Sequence, residues 1–145
     1  MVGDVRGAWH ANRDLSESEV IVETPSIHHV QVAMPADGVN RARAFYRDVL
    51  GFREVEKPAV LQSKGGVWFE TDNLQVHLGV DKAFIPASKA HVAYLVQDLS
   101  VIQQRASDAG YPVVEDDDLP GFERFYTSDP FGNRVEILSE SSRRS

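Results

Sequence analysis

Four polar side chains, His29, His77, His91 and Glu136, stand in stretches whose neighbours are aliphatic. Three imidazoles and one carboxylate make a donor set suited to one divalent ion, Zn, Ni, Fe(II), Mn or Co. They also suffice for a two-histidine, one-carboxylate triad with a histidine to spare. Each lies opposite an aliphatic stripe, because successive side chains of a strand point to opposite faces. Val30 and Val32 oppose His29, Leu74, Val76 and Leu78 oppose His77, Val92, Tyr94 and Val96 oppose His91, and Val135 and Ile137 oppose Glu136. The competing reading is four unrelated polar residues lining a wet cavity.

The elements that must position them follow from local pattern. DPFGNRVEIL, 129–138, is a turn feeding a strand: Asp129 before Pro130 initiates it, Gly132 and Asn133 complete it, and Arg134, Glu136 and Leu138 then share a face. IHHVQVAMP reads as a strand. Asp37 and Gly38 open a helix with Val39, Ala42, Tyr46, Val49 and Leu50 at helical spacing and Gly51 as its stop. FREVE, GVWFET and LQVHLGV are three further strands. HVAYLVQD begins the same order again; Asp98 caps a second helix with Leu99, Ile102, Ala106 and Ala109 inward and Gly110 as stop, and YPVVE, FERFYTSD and RVEIL follow.

A βαβββ unit is therefore used twice, over about 26–82 and 88–140. His91 follows His29 by 91 − 29 = 62 residues, Gly110 follows Gly51 by 110 − 51 = 59, and Glu136 follows His77 by 136 − 77 = 59, offsets that mark a duplication. The alignment pairs His29, not His28, with His91, and leaves His28 as a packed or edge histidine. Residues 1–25 read as an extension, with a short strand at EVIVE and a surface His10; residues 141–145 read as a tail.

Bulk composition narrows the function. With 145 residues and 42% hydrophobic content the chain can bury a core unaided, so a metal would be functional. A net charge of −7 argues against nucleic acid or an anionic membrane as partner. The absence of cysteine excludes disulfides, thiolate ligands and thiol nucleophiles. No apolar run reaches the roughly 18 residues of a membrane span and no signal-like stretch opens the chain, so the expected location is cytoplasmic.

From Ser26 to Glu140 the chain resembles the vicinal oxygen chelate superfamily of glyoxalase I, fosfomycin-resistance and bleomycin-resistance proteins, extradiol dioxygenases and methylmalonyl-CoA epimerase. The carriers are HHVQVAMP, RARAFYRDVLGF, LQVHLGV, KAHVAYLVQDL and FYTSDPFGNRVEIL. The resemblance implies an α+β fold of paired βαβββ modules forming an eight-stranded half-barrel cup, with metal ligands on the first and last strand of each module. It also implies a homodimer, since several relatives assemble the cup across two chains. Bacterial glyoxalase I commonly has glutamate where this chain has His77. Tyr126 stands ten residues before Glu136, like a substrate-contacting tyrosine of fosfomycin-resistance proteins.

Parity puts Arg124 on the face of Tyr126, where it could hold an anionic substrate group; both could equally be ordinary strand residues. Trp68, Phe69 and Phe125 read as core or cavity wall, and EDDDLP at 115–120 as a solvated turn. The expected activity is that of a metal-dependent lyase, isomerase or oxygenase in which the ion chelates two neighbouring substrate oxygens, with His77 as fourth ligand or as a base beside the metal. The alternative is a metal-free dimer that binds a small molecule or drug in its cup without turning it over.

Overall fold

The computed structural model describes residues 22–141. His10 and the first part of EVIVE lie outside these residues; Val22 and Glu23 are described and belong to no strand. The first module runs β1 (Val30–Met34), a helical segment α1 (Val39–Ala42) that continues as a π-helix over Arg43–Arg47, β2 (Arg53–Val55), a 3-10 helix (Ala59–Lys64), β3 (Val67–Glu70) and β4 (Gln75–Val80). The second runs β5 (Val92–Leu95), α2 (Leu99–Asp108), β6 (Val114–Asp116), β7 (Phe122–Ser128) and β8 (Arg134–Glu140). The architecture is α+β, as expected. The eight strands make two mixed sheets of four, in the orders β1-β4-β3-β2 and β5-β8-β7-β6, and these are not hydrogen-bonded into one.

The duplication extends to register. In the parallel pair β1–β4, Gln31, two residues after His29, lies opposite His77; in β5–β8, Ala93, two residues after His91, lies opposite Glu136. The antiparallel neighbours match too, with Trp68 opposite His77 and Tyr126 opposite Glu136. Each candidate ligand pair is therefore set on its sheet by the same pairing pattern.

Two helix details bear on packing. Asp98 caps α2 by accepting from the Val101 N–H at 3.3 Å, and Gly51 and Gly110 end their helices at φ 78° and 87°, a region L residues rarely enter. The first helix departs from the expected regular α-helix. Asp48 N–H and Leu50 N–H donate to carbonyls five residues back, Arg43 and Phe45, and the widened turn lets adjacent Phe45 and Tyr46 both face inward.

The aliphatic faces of both sheets meet in one core. Phe69, Val76 and Leu78 of the first sheet and Phe125, Val135 and Ile137 of the second join Phe45, Tyr46, Ile102 and Ala106 from the helices. Aromatic contacts cross between modules, Phe45 with Tyr111 at 5.0 Å and Phe52 with Tyr94 at 5.3 Å between ring centres. A buried polar staple does the same. The Tyr46 hydroxyl donates to Asp129 Oδ2 (2.8 Å), Asn133 Nδ2 donates to the Ala33 carbonyl (2.9 Å), and Ala87 N–H donates to Asn133 Oδ1 (3.0 Å). Asp129 Oδ1 meanwhile takes the N–H groups of Phe131 and Asn133, so the turn before β8 anchors both halves.

Candidate functional site

Strand alternation turns the faces opposite that core outward, and they carry the chemistry. On the first sheet the His77 ring is held between two others: Trp68 lies on it 3.8 Å away and 3° from parallel, and His29 lies 4.4 Å away at 20°. His77 is only 5% exposed although it faces away from the core. Its Nε2 is buried and has no hydrogen-bond partner among the described residues. Burial first, and then the neighbouring His29, His28 and Lys57 charges, push its pKa below the ordinary imidazole value. The result is a neutral imidazole with an unsatisfied ring nitrogen.

His29 stands one residue before β1, exposed, its Nδ1 2.9 Å from Nδ1 of His28. One of the two nitrogens must donate and the other accept, so the two rings take opposite roles at Nδ1. His28 is exposed beside its neighbour rather than packed under the strand.

On the second sheet His91 Nδ1 lies 3.0 Å from the Lys89 carbonyl, an oxygen that can only accept. Nε2 then faces Glu136 Oε1 at 3.2 Å. A neutral ring can donate to only one of these two acceptors; with its proton on Nδ1, the Nε2 and Oε1 lone pairs face each other, a geometry that a metal ion could bridge. Glu136 is 5% exposed, and the same Oε1 receives Arg124 Nη1 at 3.4 Å.

Arg124 is tied on its other side to Asp116 Oδ1, 2.8 Å from Nη2 and 2.9 Å from Nε. This pairing raises the Arg124 pKa, while the Asp118 N–H and then Arg124 hold the Asp116 carboxyl below its usual range. EDDDLP is thus more than a solvated turn, since its Asp116 ends β6 opposite Arg124 and anchors it. Tyr126 lies between two guanidinium groups, Arg134 at 4.2 Å and Arg124 at 5.2 Å from the ring centre.

The chain brings the four candidate ligands together as two pairs, His29 with His77 and His91 with Glu136, on different sheets. Among the described residues no three His, Cys, Asp or Glu side chains come close enough to hold a metal ion. The donors present nonetheless fit such an ion: a neutral imidazole with an orphaned nitrogen, a second imidazole against it, and an imidazole–carboxylate pair that a metal ion could bridge. Trp68 is the wall of the first pair, and Phe69 and Phe125 are core, fully buried. Two residues of the second face were not singled out from sequence. Arg134 carried a usable signal, its parity with Glu136; Asp116 carried none, because only the β6–β7 pairing reveals its partner.

Comparison with known proteins agrees with the fold. The family model for the Glyoxalase/Bleomycin resistance protein/Dioxygenase superfamily matches residues 26–137. A putative glyoxalase family protein from Bacillus anthracis is 39% identical, with a TM-score of 0.79 over 84% of this chain and 100% of that one. Lactoylglutathione lyase from Agrobacterium tumefaciens is 25% identical (TM-score 0.59; 81% of this chain, 96% of that one). The fosfomycin resistance protein FosX from Listeria monocytogenes shares the fold at 14% identity (TM-score 0.67; 83% and 97%), and a mutant of FosX has been solved in complex with Mn(II) and 1S,2S-dihydroxypropylphosphonic acid. No curated protein gives a match. The chain belongs to the glyoxalase/bleomycin resistance protein/dioxygenase superfamily.

Proposed function

We propose that this protein is a divalent-metal-dependent enzyme acting on a small molecule with two neighbouring oxygens, and that its metal centre is shared between two copies of the chain. His29 and His77 of one copy and His91 and Glu136 of the other would hold the ion. The observation that carries the reading is the buried, partnerless Nε2 of His77. Leaving such an atom unsatisfied costs about 1–3 kcal/mol, a cost that a coordinate bond removes. Within one chain the remaining donors lie on the other sheet, so a second copy is the source that completes the set.

When bound, the ion would act as a Lewis acid on the substrate oxygens, the chemistry shared by the lyase, isomerase and oxygenase forms of this reading. The chain's own groups do the rest. His77, kept neutral, can take a proton at Nε2 if it is not engaged as a ligand. Arg124 and Tyr126 stand beside Glu136 where a substrate would lie, Arg124 held there by Asp116. No helix among the described residues is long and apolar enough to cross a membrane.

Elemental analysis of the protein as purified tests the metal, and subunit mixing tests the sharing. His29→Ala and Glu136→Ala should each bind none. After exchange, a mixed dimer carries one intact site and one doubly broken site, so random assortment should restore about a quarter of wild-type metal content. A mixture that binds no more than its parts would refute a shared centre. Metal-free protein that binds apolar ligands regardless of chelator would favour simple sequestration.

A further inference from the structure

Between the two modules lies a cavity of about 250 Å³. Its walls are largely apolar, from Val32, Ile85, Val92 and Val135, and two residues of the polar face, His91 and Arg134, also line it. The frame around it is fixed by hydrogen bonds: Asn133 ties the Ala33 carbonyl of β1 to the Ala87 N–H of the connector, and Arg134 N–H donates to the Ala87 carbonyl at 2.8 Å. Tyr94 is also in the wall, and its buried hydroxyl has no hydrogen-bond partner among the described residues. The protein alone does not finish this space.

Arg134 supplies the second observation. Arg124 is held by two carboxylates, whereas Arg134 makes no ion pair among the described residues; its guanidinium rests on the Tyr126 ring, two positions along the strand from Glu136. Arg134 thus borders the cavity while its guanidinium, in no ion pair among the described residues, lies over Tyr126; swung to the cavity mouth it would match an oxyanion joined to a hydrocarbon.

We propose that the site takes a small oxyanion bearing a short apolar tail, the head paired with Arg134 and the tail in the cavity between the modules. As a statement about substrate this rests on the reading above, but the pocket itself is independent of the metal. Its volume falls below the roughly 300 Å³ at which most ligand pockets begin, which limits the tail to a few carbons.

Calorimetric titration of the chelator-treated protein with propanoate, pentanoate and heptanoate tests it. Each added methylene should strengthen binding about three- to fourfold until the cavity is full. Arg134→Gln should weaken every member by a similar factor, about tenfold. Ala33→Phe, or Ala87→Leu if the first does not fold, should flatten the dependence on chain length and leave propanoate almost unchanged. Absent binding, a flat series in the wild type, as when a side chain of a second copy fills the slot, or an Arg134→Gln series equal to wild type would overturn the proposal. Repeating the series with Mn²⁺ keeps the two readings apart, since a protein that takes the acids as expected but no metal retains the pocket and loses the metalloenzyme.

Discussion

The indole of Trp68 lies flat on the imidazole of His77, 3.8 Å away and 3° from parallel, directly across the β3–β4 pair. It is a lid over a ring that would otherwise be wet. Trp68→Ala should therefore let water reach His77 and move its pKa up toward the ordinary imidazole value, whereas Trp68→Phe should move it much less. NMR titration of the His77 ring protons checks this, and an unchanged pKa in the alanine variant would mean that the lid is not what excludes solvent.

The depressed pKa of His77 also makes stability depend on pH. The unfolded chain takes up the proton near 6.5 and the folded chain only below that, so this histidine's contribution to stability is fully present above 6.5. It declines as pH falls from there toward the depressed folded value, with a slope of at most about 1.4 kcal/mol per pH unit for one proton. His77→Gln should flatten that part of the profile in thermal unfolding of metal-free protein between pH 8 and 5.

On the other sheet Arg124 would compete with the proposed metal for a Glu136 oxygen. Its Nη1 reaches the Glu136 Oε1 that His91 also faces. Arg124→Gln removes a positive charge from beside the ion, and tighter binding of Mn²⁺, by about tenfold, is expected at low ionic strength. Calorimetry reads the change; weaker binding would assign Arg124 to orienting the carboxylate rather than opposing the cation.

Asn133 ties the modules together through two part-buried backbone groups. Asn133→Ala leaves the Ala33 carbonyl and the Ala87 N–H without their partner, at a cost of about 1–3 kcal/mol for each group that stays buried and dry. Urea unfolding should show a lower midpoint, and the alkanoate pocket should weaken with it, because the same bonds frame its wall.

Much of the fold was legible because short-range rules act within a strand or a turn. The order of elements, the caps at Asp98, Gly51 and Gly110, and the alternation that sets His77 and Glu136 opposite the core all follow from neighbours a few residues apart. The π-turn at Arg43–Arg47 was not legible: nothing local separates it from an α-helix, and it arises where Phe45 and Tyr46 must both enter a shared core and Tyr46 must reach Asp129, 83 residues on. The Asp116–Arg124 pair was hidden for a similar reason, since eight residues of sequence say nothing about contact until β6 lies against β7.

The sequence by itself determined the duplicated module and the face each candidate ligand would occupy, because side-chain alternation is a property of the strand alone. Only the tertiary structure decided which ligands meet. The apolar faces of both sheets are buried in one core, and burial of that surface outweighs any preference among four polar side chains. The outward faces, with His29 and His77 on one and His91 and Glu136 on the other, are consequently left apart within a single chain.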